Sequence, residues 1–181
     1  MSKDPVATSK FLSLVLRHKP ETIGLALDAN GWVNLEELVR QANECGYGLT
    51  IKDIFDAVAS SDKQRFALDP SGQRIRANQG HSVKVDLALA ALQPPTLLYH
   101  GTATRFLTSI RHAGLLKQAR HHVHLSLDAG TAARVGSRHG QPVVLIVRAE
   151  QMSHSGHLFY RSQNGVWLTD HVPPTFIEFP L

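Results

Sequence analysis

Residues 31–77 read "GWVNLEELVRQANECGYGLTIKDIFDAVASSDKQRFALDPSGQRIRA", and the order of elements in this stretch decides the fold of the first half of the chain. It opens on a short extended piece. Asn34 then caps a helix, with Glu37 three residues later, and Gly46 supplies the stop. Thr50 caps a third helix, "IKDIFDAVASSD", whose expected apolar face is Ile51, Ile54, Phe55 and Val58. The segments "RFAL" and "QRIRA" flank "DPSG", which holds the residues of a tight turn, so the two read as a hairpin.

Upstream lies "FLSLVLRHKP", residues 11–20. Phe11, Leu12, Val15 and Leu16 recur at helical spacing, and Pro20 prevents much continuation. Arg17 and His18 therefore stand where an apolar helix ends. Basic side chains are favourable at a helix carboxy terminus for electrostatic reasons alone, so their position by itself does not mark a site. Helix, short strand, helix, helix, hairpin is the order of a winged-helix domain, a fold that most often binds nucleic acid but does not establish function. Its third helix is as acidic as it is basic and lacks the Arg, Asn and Gln cluster of a groove-reading helix. The module is expected to act as a scaffold for something else.

With 181 residues, 43% of them hydrophobic, the chain is long enough for one medium domain or two small ones with packed cores. Pro94 and Pro95 mark the expected boundary, giving domains 1–92 and 93–181. No apolar stretch approaches membrane-spanning length, and "MSKDPVATSK" lacks the zones of a secretory signal, so a cytoplasmic protein is expected; a monomer is the working expectation, on which the sequence itself is silent. Cys45 is the only cysteine, which excludes a disulfide framework and a cysteine-based zinc site.

Charge is unevenly placed. Residues 1–99 hold eleven Lys/Arg and eleven Asp/Glu, whereas residues 100–181 hold eight against four and nine of the eleven histidines. A basic, histidine-rich second half suggests an anionic ligand such as a nucleotide or an RNA backbone. In this half "TLLYHGT" reads as a strand ending at a glycine and "RFLTSIRHAGLL" as a helix with a Phe106, Leu107, Ile110 stripe. "HHVHLSL" alternates, with His122, His124 and Ser126 on one face and Val123, Leu125 and Leu127 on the other. "DAGTAARVGSRHG" looks helical from Asp128, "PVVLIVRA" reads as a buried strand, and the tail adds further strands around the "QNG" turn. The second half is thus α+β.

Seven segments, "LSLVLRHKP", "SDKQRFAL", "IRANQGHS", "LYHGT", "HHVHLSLD", "VGSRHG" and "NGVWLTDHVPP", resemble in order the NAD-dependent RNA 2′-phosphotransferases, often called tRNA 2′-phosphotransferases, across nearly the whole chain. The resemblance implies an α+β architecture: an amino-terminal winged-helix lobe, a carboxy-terminal lobe of the ADP-ribosyltransferase fold with a split β-sheet, and an active site in the cleft between them. It implies a transferase acting in tRNA splicing, which removes an internal RNA 2′-phosphate using NAD as a consumed co-substrate and needs no metal. The family's Arg-His-Arg-Arg set falls on Arg17, His18, Arg65 and Arg138. On the NAD side the implied residues are His100, Gly101 and Thr102, with His124 where many relatives place a tyrosine and Ser126 beside it. Val166 occupies the place where protein-modifying members carry a glutamate. In "NQGHS", Gly80 permits a turn, and His81 and Ser82 are implied RNA contacts, although a plain linker turn explains them equally well.

Three other readings stand beside this one. Zinc bound by His121, His122 and His124 or by His154 and His157 is disfavoured, because alternation turns His121 away from His122 and His124. A winged-helix DNA-binding regulator that senses a nucleotide would bind duplex without consuming NAD. An ADP-ribosyltransferase that modifies terminal phosphates of nucleic acids would stop after one step, and the missing glutamate argues only against protein acceptors.

Overall fold

The structure, a computed structural model, describes residues 3–180. The chain divides into two compact units between Ala88 and Leu89, each with its own hydrophobic core. The division comes before the 92/93 boundary that the prolines suggested, and hydrogen bonds explain why. Asp86 is tied to the first unit by its amide on the Ala29 carbonyl at 2.9 Å, and its carbonyl accepts from Asn30 at 2.6 Å. Ala91 bridges Tyr160, and the Leu92 amide donates to the Phe159 carbonyl at 2.8 Å, so those residues already belong to the second unit.

In the first unit, α1 spans Pro5–Arg17. The Asp4 carboxylate accepts from the amides of Val6 and Ala7, Pro5 tolerates the first turn, and Thr8, Leu12, Val15 and Leu16 form the buried face. Next come β1, Val33–Asn34, and α2, Leu35–Glu44, which Asn34 caps by accepting from the Glu36 and Glu37 amides. α3, Ile51–Ala59, opens with a reciprocal capping box between Thr50 and Asp53. Its inward face differs from the expected one. Asp53, Ile54 and Ala57 are buried, whereas Phe55 is 39% exposed. The capping box draws Asp53 inward, where it also accepts from the Lys3 amide. Ile54 and Ala57, three residues apart, then share the core face, and Phe55 is rotated away from it.

β2, Phe66–Leu68, and β3, Arg74–Ala77, form the hairpin, with Phe66 opposite Ala77 and Leu68 opposite Ile75. β3 also pairs with β1, which makes a three-stranded sheet of order β1-β3-β2. In the turn, Asp69 accepts from the Gln73 and Arg74 amides, and the Arg74 amide chiefly draws its carboxyl down to about 2. The element order is the one expected from sequence.

The second unit begins with β4, Leu98–Ala103, α4, Leu107–Ala113, β5, Leu115–Leu116, β6, Val123–Leu125, and α5, Ala129–Gly136. It continues with β7, Pro142–Val147, α6, Ala149–His154, β8, Phe159–Arg161, β9, Trp167–Thr169, β10, His171–Val172, and β11, Ile177–Glu178. These strands give one sheet of order β11-β7-β4, a second of order β6-β9-β8, and a small β10-β5 pair. Tyr99 and Ser126 join the two larger sheets by exchanging backbone hydrogen bonds of 2.9 and 2.8 Å. Leu98, Leu125, Leu145, Val147 and Phe159 fill the core, each contributing about 1.5–3 kcal/mol by leaving water.

Three local expectations change. β4 continues through Gly101 to Ala103 instead of ending at the glycine. Asp128 caps α5 from outside the helix, its carboxylate accepting from the Thr131 amide at 2.7 Å. Phe106 and Leu127 are 41% and 51% exposed, so neither joins the core. The mixed α+β class holds for the chain as a whole, and no helix among the described residues is long and apolar enough to cross a membrane.

Candidate active site

Within the first unit, Arg17, His18, Arg65 and Ser82 come together although they are far apart in sequence. The end of α1 supplies Arg17 and His18. The residue that leads into β2 is Arg65, and the chain leaving β3 returns past α1 as residues 78–83. Three backbone contacts hold it there: the Ser82 and Val83 amides donate to the Arg17 carbonyl at 2.8 and 3.3 Å, and the Asn78 amide donates to the Arg65 carbonyl at 2.9 Å. The Arg17 guanidinium donates through Nη2 to the Arg65 carbonyl at 3.2 Å and stands 5.7 Å from the centre of the Phe66 ring. Gly80 has φ +84, and a Cβ there would lie 3.8 Å from Arg17 Nη1, so the chain turns close beside the guanidinium.

His18 Nδ1 lies 3.0 Å from Ser82 Oγ. The serine hydroxyl also reaches the Arg17 carbonyl at 3.4 Å, so Ser82 bridges the His18 ring and the end of α1. Arg65 contacts Ser61 Oγ through its amide and Nη1 at 3.5 and 3.4 Å, and it forms no ion pair among the described residues. His18 and Arg65 both line a groove of about 550 Å³ on this unit. A set of cations packed this way, with one side chain bonded to the other's backbone, is a template for a multiply charged anion. His81 differs from its neighbours. It is only 2% exposed and packs at the Gly31 turn, a supporting position, whereas Ser82 is exposed.

The second unit has its own cluster. His100 lies on β4 and His124 on β6, and the Tyr99–Ser126 bridge brings the two strands side by side. His100 Nδ1 is 3.0 Å from the His124 carbonyl oxygen. A carbonyl only accepts, so Nδ1 carries the proton and Nε2 of a neutral ring is left as an acceptor. Burial pushes the His100 imidazole below its ordinary value, helped by the nearby charges of Arg120 and His139 and opposed by the bond to His124. Burial likewise lowers His124, to about 3, with Arg120 again contributing. Both rings are therefore neutral at physiological pH. His124 Nε2 is buried with no hydrogen-bond partner among the described residues, and such an atom is normally satisfied by something bound.

His124 pairs with Leu168 and Leu125 with Trp167, so continuing the register by one residue sets Val166 opposite Ser126. His124, Ser126 and Val166 then share one sheet face. No carboxylate stands at position 166. Gly101 and Thr102 lie under α5. A Cβ on Gly101 would come within 1.7 Å of the Ala132 carbonyl oxygen, and one on Gly136 within 2.6 Å of the Thr102 carbonyl oxygen. The glycine at 101 is thus required by helix–strand packing, a role its place beside His100 did not reveal. Arg138 sits in the exposed turn Ser137–His139 that follows α5.

Arg120 was not singled out from the sequence. It lies in the loop before β6, and its charge acts on both His100 and His124. The available signal was its place two residues ahead of the histidine-rich alternating strand, in the same segment as three histidines. Among the described residues no group of three His, Cys, Asp or Glu is placed to hold a metal ion.

Residues 3–171 match the family model described as "RNA 2'-phosphotransferase, Tpt1 / KptA family". Curated proteins named "Probable RNA 2'-phosphotransferase" align over almost their full length. The Rhodopirellula baltica protein is 54% identical over 179 residues, 98% of this chain and 97% of its own. The Agrobacterium fabrum protein is 56% identical over 171 residues, covering 94% and 92%, and the Acaryochloris marina protein is 54% identical over 176 residues, 97% of each. With the match spanning both units and every residue of the two clusters, the chain belongs to the Tpt1/KptA family of RNA 2′-phosphotransferases and is a transferase.

Proposed function

We propose that the protein removes an internal 2′-phosphate from RNA in two NAD-dependent steps, the first unit being a winged-helix lobe that holds the phosphate and the second an ADP-ribosyltransferase-like lobe that holds NAD. The observation that carries the reading is the hydrogen-bonded Arg17–His18–Arg65–Ser82 network. In the first step a 2′-phosphate oxygen bonds to the anomeric carbon of the nicotinamide ribose as the bond to nicotinamide breaks. In the second, the adjacent ribose hydroxyl bonds to phosphorus, the bond to the RNA 2′-oxygen breaks, and a proton passes to that oxygen. The products are RNA with a free 2′-hydroxyl and ADP-ribose 1″,2″-cyclic phosphate.

Arg17 and Arg65 bind and orient the phosphate and then stabilise the negative charge that accumulates at phosphorus. His18, its Nδ1 engaged by Ser82, exchanges the proton through the opposite ring nitrogen. Phosphate monoesters are largely ionised at neutral pH, so the nucleophile needs no general base, and valine in place of glutamate at position 166 fits such an acceptor. The neutral rings of His100 and His124 and the Ser126 hydroxyl suit the hydroxyl and amide groups of NAD: His100 Nε2 accepts from a ribose hydroxyl, and His124 Nε2 meets a polar group of the ligand. The second unit's cation in this set is Arg138 by family resemblance. Arg120, whose charge reaches His100 and His124, is a second cation beside the NAD-side histidines. The test is to incubate the protein with an oligonucleotide bearing one internal 2′-phosphate, with and without NAD, and identify the products by mass. Loss of phosphate only with NAD, as the cyclic phosphate, supports the reading, and an unchanged oligonucleotide refutes it.

A further inference from the structure

Along α1, Val6, Lys10, Leu14 and His18 are spaced by four and so form one row on the helix surface. All four line the 550 Å³ groove whose opposite wall is the segment after α3, including Ser60 and Asp62, and whose far end is Arg65. The row alternates apolar and basic side chains. Val6 is 60% and Leu14 37% exposed, so the groove presents apolar surface between its basic groups. Lys10 is exposed and forms no ion pair among the described residues. Eight helical residues separate Lys10 from His18, about 12 Å along the axis. A ligand group at Lys10 is therefore not the group held at His18 and Arg65 but one further along the same molecule. The volume suits a small-molecule-sized moiety. Apolar side chains, the two lysines Lys10 and Lys63 and a hydroxyl rim match the three parts of a nucleotide: base, phosphodiester and sugar. Asp62 confines the phosphodiester to the Lys10 side of the groove.

We propose that this groove receives the unpaired nucleotide adjoining the 2′-phosphorylated one, its base against Val6 and Leu14 and its phosphodiester at Lys10. The inference rests on the proposed function, since it takes the His18–Arg65 end as the 2′-phosphate site. It makes the first unit a reader of the unpaired nucleotide next to the modified position and predicts that substrate length matters.

The test compares kcat/KM for a single 2′-phosphorylated nucleotide, which has no neighbour to fill the groove, and for a single-stranded hexanucleotide carrying the same 2′-phosphate internally, in the parent protein and in Lys10→Ala and Lys10→Glu. The parent is expected to prefer the longer substrate. Lys10→Ala should cut that preference by roughly fivefold and Lys10→Glu by more, with a shallower salt dependence in both. An unchanged preference in both variants overturns the proposal. If the parent releases nicotinamide from neither substrate, the proposed function fails separately. Fluorescence anisotropy of the labelled hexanucleotide then decides the groove alone: weaker binding by Lys10→Glu supports it, and equal binding overturns it.

Discussion

His100 donates from Nδ1 to the His124 carbonyl at 3.0 Å, and this bond, made where the Tyr99–Ser126 bridge sets β4 beside β6, fixes the imidazole tautomer and leaves Nε2 as an acceptor. On the proposed function, His100→Ala removes the ring nitrogen that accepts from a ribose hydroxyl of NAD. The expected result is a KM for NAD raised about tenfold, with a smaller change in kcat, read from steady-state rates at varied NAD. An unchanged NAD dependence would show that His100 does not face the dinucleotide.

The neutral histidines also make stability depend on pH. In the folded state His124 titrates at about 3, below its ordinary unfolded value of about 6.5. Between those values the unfolded chain binds a proton that the folded chain does not, so stability is full above about 6.5 and falls as the pH drops towards 3. Each such histidine contributes a slope of up to about 1.4 kcal/mol per pH unit. Urea unfolding at pH 7.5 and 5.5 should show a loss on acidification that shrinks in His124→Asn.

Gly101→Ala places a methyl group where the Ala132 carbonyl oxygen already sits, 1.7 Å away. The contact is with backbone, so α5 must separate from β4, at a cost of about 3 kcal/mol or more. Thermal unfolding should show a large drop or no folded protein. A variant of parental stability that has lost only NAD use would instead make Gly101 a ligand-approach residue.

Arg120→Ala and Arg138→Ala separate the two candidates for the second unit's cation. Arg120 acts electrostatically on both buried histidines, so its loss is expected to lower turnover by about a hundredfold or more and raise the His100 pKa seen by NMR. Arg138→Ala should do less. If instead Arg138→Ala alone accumulates ADP-ribosylated RNA, the family assignment of that position stands.

Much of this architecture was legible in local signals. The caps at Asn34 and Thr50 and the "DPSG" turn depend on hydrogen bonds a few residues long, and those residues carry them in the structure. The family resemblance named Arg17, His18 and Arg65 together, and the structure brings them into one network. What could not be read were relationships set by packing at long range. Phe55 has the composition of a core residue, but the Asp53 capping box rotates it outward. Gly101 looked like a ligand-approach glycine because the carbonyl it makes room for is thirty-one residues away, at Ala132. Arg120 stands beside histidines in sequence, but only the Tyr99–Ser126 bridge between β4 and β6 puts both His100 and His124 within reach of its charge. The row Val6, Lys10, Leu14, His18 lies within one helix, yet it acquires meaning only from the segment after α3 that forms the facing wall.

The central claim, that phosphate removal is coupled to NAD cleavage, is tested most directly by a single-turnover time course with excess protein over 2′-phosphorylated RNA, measuring nicotinamide released and 2′-phosphate lost in the same samples. The account predicts one nicotinamide per phosphate, with nicotinamide appearing first and all phosphorus recovered as the cyclic phosphate. Phosphate lost without NAD, or recovered as inorganic phosphate, would contradict it.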